Sequence, residues 1–131
     1  RLGSRPMVRD VGLVDLDVKE ELKEALIDYE NAMVRDYYSF THGFHDPYKD
    51  EVRSAYANGI RYIKGPKYLK VINTDRDGSR MVHSFINLGN REFLFGDILK
   101  SAGWKAPALN KARGNLFKGY RVNWTGAEYL I

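Results

Sequence analysis

YLKVINTDRDGSRMVHSFIN, residues 68–87, is the stretch that decides the fold. Two runs rich in β-branched and aromatic residues, Tyr68 to Thr74 and Met81 to Leu88, flank Asp75-Arg76-Asp77-Gly78-Ser79. Asp, Gly and Ser are turn formers, because their side chains bond the local backbone or free it sterically. The pattern predicts a hairpin. Two further runs of the same type flank it, Ile60 to Lys64 and Phe93 to Leu99, set off by Gly65-Pro66 and Asn87-Leu88-Gly89-Asn90. Together they predict an antiparallel meander, with a final strand over Tyr120 to Thr125. One helical turn is expected at Ala108 to Arg113.

Upstream of Ile60 the period changes. Val18, Leu22, Leu26, Tyr29, Met33, Tyr37 and Phe40 recur at steps of three and four, one apolar stripe of an amphipathic helix over 18–40. Asp17 is the expected N-cap, with Glu20 completing a capping-box-like pair. Glu20, Glu21, Glu24 and Asp28 lie near its N-terminus, where the helix dipole favours negative charge. Asp46-Pro47 starts a second, shorter helix carrying Tyr48, Val52, Ala55 and Tyr56, which Asn58-Gly59 ends. The fold class is therefore α+β: N-terminal helices (17–59) packed on a small, curved antiparallel β-meander (60–125).

At 131 residues and 44% apolar content the chain is expected to form a single domain over 7–131. Residues 1–6, Arg1 to Pro6, precede Met7 and look like a cloning remnant. The absence of Cys removes disulfides, thiolate catalysis and cysteine zinc sites, and fits a reducing compartment. No run approaches ~20 apolar residues, so no membrane span is expected.

Charge is divided along the chain. Residues 1–60 hold 8 Lys/Arg against 12 Asp/Glu, a net of −4, and residues 61–131 hold 13 against 5, a net of +8. A basic half of this kind points to an anionic partner. Its least generic segment is GDILKSAGWKAPA, residues 96–108, continuing through Asn110-Lys111-Ala112-Arg113-Gly114-Asn115. Here Lys100, Lys105, Lys111, Arg113 and Arg121 interleave with Trp104 and Tyr120. Cations contact phosphates and release counterions, and aromatic faces stack on unpaired bases. Nucleic acid, single-stranded by preference, is the partner class this implies. The five cations are the expected phosphate contacts; Trp104 and Tyr120 are the expected stacking platforms. The competing expectation makes the same run a folding motif. An exposed Trp104 among cations favours the first, and a Trp104 buried against the first helix favours the second.

The run G-D-I-L-K-x-A-x-W-K-A-P-A-x-N-x-A-R-G-N resembles one in small, uncharacterised proteins of tailed bacteriophages. There it also follows a strand similar to Lys67-Tyr68-Leu69-Lys70-Val71-Ile72. The likeness covers residues 60–124, with Gly103 standing where a more polar residue is expected. It implies a phage-type accessory protein acting in the host bacterial cytoplasm, and it brings no activity with it. The alternatives are a protein-interaction module that docks on a host protein, or a minor virion component self-associating through Tyr29, Met33 and Tyr37.

No cofactor or metal is expected. Asn73-x-Asp75-x-Asp77-Gly78 opens like a calcium loop, but Ser84 stands where the bidentate Glu is required. His42-x-x-His45-Asp46, even with His83, gives too few ligands for a phosphohydrolase-type centre. No Gly-x-Ser-x-Gly elbow or Gly-rich phosphate loop occurs, so no catalytic residues are expected. Ser84 follows His83 directly, but neighbours in a regular strand point to opposite faces, which predicts a poor pair for proton transfer.

Overall fold

The structure is a computed structural model describing residues 12–128. Among the described residues its architecture is α+β, two helices followed by antiparallel sheet. The helices are α1 (Glu20–Phe40) and α2 (Tyr48–Asn58). The strands β1 (Ile60–Lys64), β2 (Tyr68–Thr74), β3 (Arg80–Asn87) and β4 (Ile98–Leu99) form one antiparallel sheet in chain order. Two small ladders follow, β5 (Gly114–Asn115) with β6 (Gly119–Tyr120), and β7 (Val122–Asn123) with β8 (Gly126–Ala127).

The apolar stripe of α1 is the lid of the core. Leu22, Leu26, Tyr29 and Met33 are buried in one cluster with Leu69, Val71, Ile86 and Ile98 from the inner face of the sheet. The stripe leaves no surface for self-association at Tyr29 and Met33, because the core consumes both. The helix begins at Glu20, and Lys19, not Asp17, is its N-cap, without a side-chain cap bond. Asp17 faces β1 instead: its backbone carbonyl accepts from Lys64 Nζ at 2.6 Å.

The central hairpin forms as its pattern predicts, with one irregularity. Val71 pairs with Ser84, but Ile72 pairs with Val82, so His83 is an extra residue in β3. Such a bulge sharpens the local twist and re-aims a side chain. The turn closes through Asp75 N–H to Ser79 O (2.8 Å), with Gly78 at φ +90°. Asp77 Oδ1 accepts from both the N–H and the hydroxyl of Ser79, which holds its carboxyl below the usual range.

Three further expectations need correction. The run from Phe93 to Leu99 is strand only at Ile98–Leu99. The preceding residues are wound into turns by two side chains: Asn87 Nδ2 donates to the carbonyls of Asn90 and Leu94, and Asp97 Oδ2 accepts from Leu94 N–H. No helical turn forms at 108–113. That segment runs beside β4, tied by Ala108 N–H to Lys100 O and Arg113 N–H to Ile98 O, both 2.8 Å. The expected strand over 120–125 is divided between β6 and β7.

Gly59 couples helix to sheet. Its carbonyl accepts from Thr74 N–H at 2.8 Å, and a Cβ built on it would lie 2.1 Å from Thr74 O. The backbone dihedrals there are ordinary, so the demand is for space alone. Gly59→Ala is expected to destabilise the fold by about 1–3 kcal/mol, as overpacking does. Urea unfolding followed by circular dichroism measures it, and an unchanged midpoint would contradict the close approach.

Candidate nucleic-acid interface

The outer face of the sheet, away from α1, presents Tyr68, Lys70, Ile72 and Phe85 by strand alternation and register. Leu99 joins them as the partner of Phe85. Ile72, Phe85 and Leu99 are buried, a second small apolar layer on this side. Beyond β4 the chain doubles back: Ser101 bridges Pro107, and Ala102 N–H donates to Ala106 O at 3.0 Å. Trp104 sits at the tip of this loop, and 41% of it is exposed.

The indole lies over the outer face and meets two cations there. Lys70 Nζ is 4.3 Å from its ring centroid and 5.9 Å from that of Phe85. The Arg80 guanidinium carbon is 5.0 Å from the same indole centroid. Cations at such distances are held by the quadrupole of the ring. Neither makes an ion pair with an acid among the described residues. Two like charges therefore converge on one aromatic plane. Burial first, and then the Arg80 charge, hold the Lys70 ammonium below the usual lysine range. An anion placed between them would relieve that repulsion.

The cations named from sequence have other fates. Lys105 is exposed beside Trp104, and Lys111 is exposed in the segment alongside β4. Lys100 turns inward, its ammonium 3.5 Å from Ala127 O. Arg113 is committed to the backbone: it donates to Lys111 O, Glu128 O and Asn110 Oδ1 at 2.8–2.9 Å. Tyr120 is half-buried, edge-on to Tyr29 at 5.3 Å, and so is no free platform. Arg121 lies near Arg35 and Ser39 of α1, on the helix side of the molecule. Of the seven residues, Trp104 and Lys105 form the tip of the site. Lys100, Arg113, Tyr120 and Arg121 are not gathered there, and Lys111 stands exposed on the segment beside β4.

Lys70 and Arg80 are the residues that sequence reasoning missed. They lie in the hairpin, far from Trp104 along the chain. The available signal was alternation: Tyr68, Lys70 and Ile72 share the face opposite the core residues Leu69 and Val71.

The histidines do not converge. His42 and His45 are exposed in the loop between the helices, whereas His83 is buried. The bulge turns His83 to the same side as Ser84, correcting the expectation that they diverge. His83 Nδ1 is 2.8 Å from Ser84 Oγ, and Ser84 Oγ is 2.7 Å from Tyr29 OH. His83 Nε2 faces Asn123 O at 2.9 Å. A carbonyl only accepts, so Nε2 carries the proton of the neutral ring, Nδ1 accepts from Ser84, and Ser84 accepts from Tyr29. The pair has the form of a serine and its base, but Ser84 is fully buried. Its work is to satisfy buried polar groups.

These features define a small α+β protein whose sheet carries a cationic, tryptophan-bearing outer face. The chain belongs to DUF7717, a family of unknown function, which it matches over residues 14–129. Comparison with curated proteins and with solved structures finds no match in either. No helix among the described residues is long and apolar enough to cross a membrane.

Proposed function

We propose that this is a phage-type accessory protein that binds single-stranded nucleic acid in the cytoplasm of a bacterial host, using the outer face of its sheet. The observation that carries the reading is the exposed Trp104 with Lys70 and Arg80 at 4.3 and 5.0 Å from its ring and, among the described residues, no acid paired to either. A base stacks on the open part of the indole. The adjoining phosphate is taken by Lys70, Arg80 and Lys105. A single strand suits the geometry, because a duplex hides the base faces that an indole needs. The likeness of residues 96–115 to phage proteins supports the setting. It adds nothing to the chemistry.

Fluorescence anisotropy with a labelled oligothymidylate tests the reading. Micromolar or tighter binding at low salt is expected, weakening steeply as salt rises. Trp104→Ala should remove about 1–3 kcal/mol, the worth of one stacked base. Lys70→Glu with Arg80→Glu should flatten the logarithmic salt slope by about 1.4, two single-strand phosphate contacts. Absence of micromolar binding at low salt would overturn the reading.

A further inference from the structure

A second site lies at the end of α1, on the side where the acidic helices meet the hairpin turn. Six aromatic rings adjoin there in an unbroken series. Tyr37 stacks on Tyr56 at 4.4 Å and meets Trp124 edge-on at 5.0 Å. Phe40, Phe44 and Tyr48 extend the series outward, at 5.8 and 5.9 Å between successive centroids. A cavity of about 280 Å³ opens among Tyr37, Tyr48, Tyr56, Trp124 and the Asp75–Arg76 turn. Its rim is left open to water: Tyr48 is 49% and Met81 61% exposed.

The walls are fixed before anything enters. Tyr56 donates its hydroxyl to Trp124 O at 2.7 Å, and Trp124 N–H donates to Asp36 Oδ2 at 2.8 Å. Preorganised walls spare a ligand the cost of ordering them. The electrostatics are set by the turn. Burial first, then Tyr48 and the Asp75 carboxylate, push the Tyr37 hydroxyl up, and Arg76 opposes them. Asp75 therefore acts on the cavity as a negative charge. Arg76 is neutralised by Glu51 at 3.0 Å.

The chain already seats one guanidinium on this rim. The Arg76 guanidinium carbon is 5.6 Å from the Tyr48 ring centroid while its nitrogen pairs with Glu51. Planar guanidinium stacks on aromatic faces and pairs with carboxylates, which a compact ammonium does less well. We infer that this cavity is a socket for an arginine side chain presented by a partner polypeptide, its stem against the aromatic walls and its head toward Asp75. The site has the opposite electrostatic sign to the Trp104 face and stands apart from the nucleic-acid reading. Aromatic residues clustered around a pocket are also the usual anchors of protein interfaces.

N-acetylarginine methylamide is the probe, with the citrulline analogue as its uncharged counterpart of similar shape. Both are titrated into the ¹⁵N-labelled full chain and followed by amide shifts. Arginine should give saturable shifts at Thr74–Arg76 and Trp124, and bind about tenfold tighter than citrulline, as a cation–π contact with a carboxylate requires. Asp75→Asn should erase that preference. Tyr48→Leu, at an exposed position that keeps an apolar wall, should weaken arginine alone and leave the amide spectrum otherwise folded. Equal binding of the two probes, binding of neither, or shifts confined to other parts of the chain would each overturn the inference.

Discussion

Leu26→Ala is expected to cost about 2–5 kcal/mol of stability, among the largest effects of any single truncation in this chain. Leu26 is fully buried, midway along the stripe of α1, in one cluster with Leu69, Val71 and Ile86 of the sheet. Removing its three terminal carbons loses their transfer free energy and leaves a hole that the neighbours fill only in part. The ring of Tyr29 resists collapse into that hole, because its hydroxyl is bonded to Ser84 at 2.7 Å. Urea unfolding at neutral pH should show a lower midpoint with an unchanged slope. Glu24→Ala, on the exposed side of the same helix, should stay within about 0.5 kcal/mol of the parent. A Leu26→Ala loss below about 1 kcal/mol would mean that α1 does not close the core.

The elements that sequence reading recovered are those that local patterns determine. The stripe from Leu22 to Met33 repeats every three or four residues, and only one face of one helix satisfies it. The hairpin of β2 and β3 is written in alternating residues around an Asp- and Gly-rich turn. Misreadings arise where distant groups override local preference. Asp17 has the chemistry of a cap, yet its carbonyl bonds to Lys64, 47 residues away. Phe93 to Phe95 have strand propensity, but Asn87, donating to Leu94 O, and Asp97, accepting from Leu94 N–H, bend the chain. Ala108 to Arg113 are helix formers held straight by carbonyls of the strand beside them.

The candidate site was half legible for the same reason. Trp104 and Lys105 are adjacent and unusual enough to stand out. Lys70 and Arg80 meet Trp104 only through the fold, because β2 and β3 deliver their outer-face residues under the loop that follows β4. Meanwhile Arg113, a cation in the most distinctive run, is used three times over by backbone and Asn110. Composition counts both kinds of cation alike. What separates them is the acceptor that each finds, and acceptors are set by tertiary contacts.

Acid should destabilise the protein through His83, by about 3 kcal/mol between pH 6.5 and 4. Burial holds this imidazole down to about 4 from an ordinary 6.5, with the Lys100 charge adding a smaller push and the bond to Asn123 O opposing both. The sign follows from which state takes the proton first. In the unfolded chain the ring is protonated as pH falls through 6.5, whereas the folded ring stays neutral until about 4. Unfolding therefore takes up a proton in that window, and stability declines with falling pH. Above 6.5 both states are neutral, and His83 contributes no slope. Below 4 both are charged, and its contribution levels off. The structural event at the lower end is specific. A proton on Nδ1 removes the acceptor of the Ser84 hydroxyl, which must turn back toward Tyr29 with both groups buried. The imidazole of His83, followed by NMR in the folded protein, should titrate near 4. Urea midpoints at a series of pH values should then fall between 6.5 and 4, and His83→Gln should flatten that fall while lowering stability at neutral pH. A His83 midpoint at its ordinary value, or an acid slope unchanged by His83→Gln, would mean that the ring is open to water and that Tyr29, Ser84 and His83 do not form a closed chain of bonds.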